Sequence, residues 1–200
     1  MRKVLLLSVI SIYCSQSFAK LPIINNSKPL NTLPVEVLKV VQEEIINVCH
    51  NKASESGSSS PRLTFDYSFI STADINGDGL EDYAINSYNV TCELVKGIYP
   101  SNDFKENEYG TLNILFQNQM GGFDHVVKNY QLNEELGLGP HYDDTYSFGN
   151  YNGVNYIKWN KNKQAFIYKN NMANYEETIP LDTSKSLTKK ESNSVLWEEL

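Results

Sequence analysis

Arginine is almost absent. Beyond residue 19 the chain holds one, Arg62, and over its 200 residues 17 Lys+Arg stand against 24 Asp+Glu. Phosphate recognition needs clustered basic side chains, so DNA and RNA are disfavoured as partners. Long apolar runs are missing too. The one substantial run, Val4 to Tyr13, is about half of the ~20 residues that cross a bilayer, which argues against stable membrane association. The signatures of common chemistries are also lacking: there is no HExxH, GxSxG, glycine-rich phosphate loop or CxxC, so no catalytic residue is assigned.

What is present at the start reads as an export signal. Met1-Arg2-Lys3 is basic, the apolar run follows, and Ser17-Phe18-Ala19 offers small residues at both positions that signal peptidase reads, so residues 1–19 are expected to be a signal peptide. Cys14 follows Tyr13 rather than a small residue, which disfavours a lipid anchor there. Removing the signal takes Arg2, Lys3 and Cys14, leaving 15 basic against 24 acidic side chains and a net charge near −9. The mature chain is expected in the periplasm or outside the cell. Its acidity favours bound cations or a cationic partner. Two cysteines then remain, and in an oxidising compartment Cys49 and Cys92 are expected to form one disulfide.

The organisation reads as an extended leader over 20–33, a single domain over 34–182 and a polar tail over 183–200. In PVEVLKVVQEEIINVCH, Leu38, Val41, Ile45 and Val48 recur at helical spacing, with Thr32 as the expected cap and Pro34 in the first turn. The small polar residues 51–62 read as a surface loop. Leu63, Phe65, Tyr67 and Phe69 alternate with polar residues and read as a strand. Further strands are expected at 82–88, 112–117, 123–130, 154–159 and 165–169. The short turns Asn118–Gly122 and Asn160–Lys163 should join two antiparallel hairpins. The class that follows is α+β, an N-terminal helix packed on a mainly antiparallel sheet. Residues 133–153 carry Gly, acidic and Tyr residues with little periodicity and read as the longest candidate functional loop, the hardest segment to assign.

One segment has chemistry in its spacing. In Asp74-Ile75-Asn76-Gly77-Asp78-Gly79-Leu80-Glu81-Asp82, oxygen-bearing side chains occupy positions 1, 3, 5 and 9, with glycine at position 6. A hard divalent cation takes six or more oxygens, and a tight turn with glycine at its reversal supplies them. The expected Ca2+ ligands are Asp74, Asn76, Asp78, Asp82 and the carbonyl of Leu80. An EF-hand would place a glutamate at position 12, where Ile85 stands. The ninth-position aspartate between strands fits a strand–loop–strand site of the kind found in integrin-type propeller repeats. The plain alternative is an Asn-Gly/Asp-Gly hairpin turn. It leaves unexplained why several carboxylates crowd one turn, where mutual repulsion costs stability without a cation.

The order of a Leu-Pro-started helix ending in cysteine, the Asp74–Tyr83 segment, Cys92, the Gly121-Gly122-Phe123 hairpin and the Trp159 hairpin resembles a group of small uncharacterised exported bacterial proteins. These carry a single loop of the FG-GAP/VCBS or EF-hand-like kind. The resemblance spans roughly residues 33–168, but only the nine-residue loop is specific. Members often have extra cysteines after the loop, absent here. The resemblance implies calcium in the loop and no established catalytic activity.

The remaining candidates are weaker. His50, His125 and His141 are scattered, and the acid pairs Glu43-Glu44, Glu134-Glu135 and Asp143-Asp144 are adjacent in sequence rather than convergent. Tyr142, Tyr146 and Tyr151 offer a candidate partner surface, against the plainer reading of tyrosines packed over a sheet. Two functions remain. One is a non-enzymatic exported binding module acting on another exported protein, for instance as an inhibitor or immunity-type protein. The alternative is an exported hydrolase with a structural calcium site.

Overall fold

The computed structural model describes residues 29–57, 60–65, 68–96, 99–101, 110–132, 136–140, 146–150, 154–182 and 186–187. The expected signal peptide over residues 1–19, most of the expected leader and all but two residues of the expected tail therefore lie outside it. The chain begins with a single 3-10 turn, Leu30–Thr32, then enters one continuous helix made of α1 (Val35–Val41), a π turn (Gln42–Ile46) and α2 (Asn47–Glu55). Pro34 is the cap residue and no side chain caps the helix. Thr32 instead donates to the Pro29 carbonyl at 2.8 Å, which corrects its expected capping role.

The helix also runs further and turns differently than its apolar spacing implies. The buried positions are Val37, Val40, Val41, Ile45, Cys49 and Ala53, while Val48 is 40% exposed. From Val41 onward the repeat is four residues, which drifts about 40° per step around an α-helix at 3.6 residues per turn. The π turn absorbs that drift with its wider winding, so Ile45, Cys49 and Ala53 keep facing inward. Ala53 carries the helix to Glu55, so residues 51–55 are helical. Strand β1 begins at Ser60, so the expected loop over 51–62 shrinks to a short connection.

The strands are β1 (Ser60–Phe65), β2 (Ile70–Ala73), β3 (Asp82–Asn86), β4 (Val90–Lys96), β5 (Tyr99–Ser101), β6 (Gly110–Gln117), β7 (Phe123–Leu132), β8 (Gly137–Pro140), β9 (Tyr146–Gly149), β10 (Asn155–Asn160), β11 (Ala165–Asn170), β12 (Tyr175–Ile179) and β13 (Ser186–Leu187). They form three sheets, ordered β1-β4-β5, β13-β7-β6-β3-β2 and β12-β11-β10-β9-β8. Every pair among the described residues is antiparallel. The class is α+β, as the helix followed by alternating strands implied. Both expected hairpins form, β6–β7 and β10–β11. In the first, Asn118 Oδ1 accepts from the amides of Met120 and Gly122.

Two cores explain the layering. Leu112, Ile114, Phe116 and Val127 of one five-stranded sheet meet Leu138, Tyr146, Phe148, Ile157 and Phe166 of the other, making a sandwich. On the opposite face of the first sheet Ile70, Tyr83, Ile85, Leu115 and Phe123 pack against Val37, Val40, Val41 and Ile45 of the helix. The interior strand β3 is buried at all five positions because both its faces are covered. Cys49 of α2 and Cys92 of β4 are joined, with an S–S distance of 2.01 Å and Cα atoms 5.9 Å apart. The bridge ties the helix to the small sheet across a sequence separation of 43 residues, worth roughly 4 kcal/mol in the chain-entropy account.

Three sequence expectations change. Residues 63–69 are not one strand: β1 ends at Phe65 and β2 starts at Ile70, with Ser68 at φ 72° turning the chain between them. The expected 82–88 strand stops at Asn86, where a 3-10 turn, Ser87–Asn89, takes over. The 133–153 stretch, expected as a loop, contains strands β8 and β9.

Candidate functional site

The Asp74–Asp82 segment joins β2 to β3, a strand–loop–strand arrangement with Ala73 paired to Asp82 at its base. Gly77 and Gly79 sit at φ 78° and 88°, a backbone region that side chains other than glycine rarely enter. Those two positions let the chain fold back around its first aspartate. Asp74 Oδ1 accepts from the amides of Gly77 and Asp78, both at 2.9 Å, and Oδ2 from that of Gly79 at 3.0 Å. Asn76 Oδ1 accepts from the Asp78 amide and Asp78 Oδ1 from the Leu80 amide, both at 2.9 Å. Asn76 Nδ2 donates to Asp78 Oδ2 at 3.0 Å.

Asp82 closes the ring from below. It has no exposed surface, and its carboxylate accepts from the amides of Ile75 (2.9 Å), Asn76 (3.3 Å) and Gln117 (3.0 Å). Burial pushes Asp82 up to about 7, with the nearby Asp78 acting in the same direction and the three backbone N–H groups holding it down. Asp82 therefore locks the loop to the start of β3 and the end of β6.

The five expected ligands thus lie along one turn, and all are oxygen donors, the chemistry a hard dication takes. Asp74 Oδ2, Asp78 Oδ1 and Asp82 Oδ1 each accept one backbone amide and keep a further lone pair, whereas Asp74 Oδ1 and Asp82 Oδ2 each accept two. Asn76 and Asp78 are bonded to each other, and that contact must open for both to face one ion. Among the described residues no three His, Cys, Asp or Glu side chains gather into a metal-holding group.

No family model, curated protein or solved structure matches this chain. Its chemistry has to be read from its own residues.

Among the other candidates, Tyr146 is corrected outright. It is 3% exposed and belongs to the sandwich core, because it begins β9 with its ring on the inward face, so it offers no partner surface. Tyr142 and Tyr151 lie outside the described residues, as do His141, Glu134-Glu135 and Asp143-Asp144. His50 is exposed on α2 while His125 is buried in β7.

A polar cluster under the helix was not anticipated. Asn113 of β6 is fully buried, and its Oδ1 accepts from the Asn129 amide at 3.0 Å and lies 3.0 Å from His125 Nε2. Asn113 Nδ2 donates to Asn129 Oδ1 at 3.1 Å, and Asn129 Nδ2 donates to Glu44 on the π turn. The cluster fills an irregularity in the β6–β7 register between Leu112 and Leu115, where Asn129 sits at φ 46°. Burial and the nearby Lys128 push His125 down to about 4, against the pull of Asp182. Its sequence signal is a polar residue at an inward position within the apolar runs Leu112–Phe116 and Phe123–Val127.

Proposed function

We propose that this chain is an exported, disulfide-stabilised calcium-binding protein of the periplasm or extracellular space. It acts as a non-enzymatic binding module on another exported protein, in the manner of an inhibitor or immunity-type protein. The observation that carries the calcium reading is the loop itself. Gly77 and Gly79 at positive φ wrap three amides around Asp74, leaving an oxygen-only donor set of Asp74, Asn76, Asp78, Asp82 and the Leu80 carbonyl along one turn. The strand on each side supports the strand–loop–strand version, and the resemblance to exported proteins with an FG-GAP/VCBS-like loop points the same way. When bound, calcium would neutralise carboxylates that repel one another and fix the β2–β3 turn.

Export is supported by the disulfide, which persists in oxidising compartments. Among the described residues no helix is long and apolar enough to cross a membrane. The binding-module reading is supported by a disulfide-tied frame in which two five-stranded sheets pack face to face.

The test is thermal melting of the mature protein with calcium and with chelator, beside Asp78→Ala. Calcium at a hundred times its dissociation constant should add about 2.7 kcal/mol, or roughly 5–10 °C for a chain of this size. Asp78→Ala should lose the increment. Equal melting under all conditions defeats the assignment. Turnover of peptidoglycan or glycans by the purified protein would favour the hydrolase reading instead.

A further inference from the structure

A second cluster of chemistry lies outside the loop, where strands β7, β11 and β12 bring tyrosines together at an edge of the sandwich. The β11–β12 register sets Tyr168 opposite Glu177 and Asn170 opposite Tyr175. Alternation then puts Tyr168, Tyr175 and Glu177 on one face of that sheet. Tyr168 and, from the facing sheet, Tyr130 pack against the same core. The rings of Tyr168 and Tyr175 are 6.2 Å apart at 61°, edge to face. Tyr175 donates its hydroxyl to Glu177 Oε2 at 3.0 Å. Burial first, then the charges of Glu177, Tyr168 and Tyr175, push the Tyr130 hydroxyl up to about 12. Tyr175 is 50% exposed, and Glu177 is exposed on the edge strand.

Two neighbouring glutamates on β12 have different surroundings. Glu176, on the outward face, takes Lys163 at 3.3 Å and Lys169 at 3.6 Å. Glu177, on the tyrosine face, is paired with no basic side chain among the described residues. A carboxylate beside the rings of Tyr168 and Tyr175, with no cation paired to it among the described residues, is an arrangement that attracts one.

We propose that Tyr130, Tyr168, Tyr175 and Glu177 form a receptor for an alkylammonium group, filled by a lysine side chain of a protein partner. The rings supply cation–π attraction and Glu177 the opposite charge. The cluster is half open to water, so a small free ammonium ion would keep most of its hydration and gain little. A lysine carried on a partner surface arrives with further contacts that offset the cost of association. The chain's net charge of −7 steers such a basic partner toward it. The inference is independent of the calcium loop, whose ligands lie elsewhere in the sequence.

The test is a titration of the folded chain with a short lysine-containing peptide at about 0.15 M salt, where surface attraction beyond ~8 Å is screened, followed through tyrosine ring resonances by NMR. Saturable shifts at Tyr130, Tyr168 and Tyr175 are expected, absent with the same peptide carrying norleucine. Glu177→Gln should weaken binding roughly fivefold, the upper range for an exposed ion pair. Tyr175→Leu should weaken it roughly threefold. Glu176→Gln, which removes the same charge from the outward face, should bind as the parent does. Three results would each overturn the proposal: no ring shifts, equal weakening by Glu176→Gln, or a response to choline without one to the peptide. Both glutamates and Tyr175 are exposed, and an unchanged amide spectrum verifies that each variant keeps the fold.

Discussion

Acid should weaken this fold through His125, and a single substitution should remove the effect. His125 is 4% exposed, and its Nε2 lies 3.0 Å from Asn113 Oδ1. That oxygen already accepts from the Asn129 amide, so the neutral ring donates from Nε2. Burial first, then Lys128, lowers the ring from 6.5 to about 4, and Asp182, itself paired with Lys128 at 2.7 Å, pulls the other way. A base with its folded value depressed is harder to protonate folded than unfolded. Its contribution is therefore fully present above the unfolded value of about 6.5 and is lost as pH falls toward 4. Between pH 7 and pH 5 the linkage comes to about 2 kcal/mol. Urea unfolding followed by tryptophan fluorescence at the two pH values measures it, with His125→Gln as the variant that cannot titrate. The parent should lose about 2 kcal/mol more than the variant between pH 7 and 5. The same loss in both would show that His125 is not protonated on unfolding and would refute the reasoning.

Other substitutions test the frame. Replacing Cys49 and Cys92 together by alanine should lower stability by roughly 4 kcal/mol in denaturant melts, and an unaltered midpoint would deny the bridge its role. Gly110→Ala would place a Cβ 2.6 Å from Tyr88 Cβ and 2.8 Å from its Cα, so a loss of about 1–3 kcal/mol is expected by the same assay. Gly79→Ala, at φ 88° with nothing within 4 Å of the added atom, should cost about 1 kcal/mol or more from backbone strain alone.

Local patterns were legible where they carry a single unambiguous cause. Asn118–Gly122 and Asn160–Lys163 lie in short turns between alternating runs, and both produce their hairpins. Cys49 and Cys92 are the two cysteines beyond the expected signal peptide, and they meet. The nine-residue loop begins and ends where the spacing places it. What the pattern hid depends on tertiary partners. Residues 51–55 look like loop because their side chains are small and polar, yet Ala53 sits against the core and carries the helix onward. The π turn changes which residues face inward, so Val48, expected in the apolar stripe, is exposed and Val37 and Val40 are buried. Strands β8 and β9 are short and glycine-containing, without clean alternation, and belong to a sheet whose existence only the sandwich makes evident. Tyr146 looked available for a partner for the same reason. The polar cluster of Glu44, Asn113, His125 and Asn129 joins the helix to the β6–β7 hairpin across a sequence separation of 85 residues, which no local period can register.

The most direct measurement is isothermal titration calorimetry of calcium into the folded, disulfide-bonded protein. The account expects one calcium per chain with saturation by millimolar concentration, and no such uptake by Asp78→Ala. A flat titration of the parent protein, or an unchanged isotherm in the variant, would mean that the turn between β2 and β3 is held by its own amides alone.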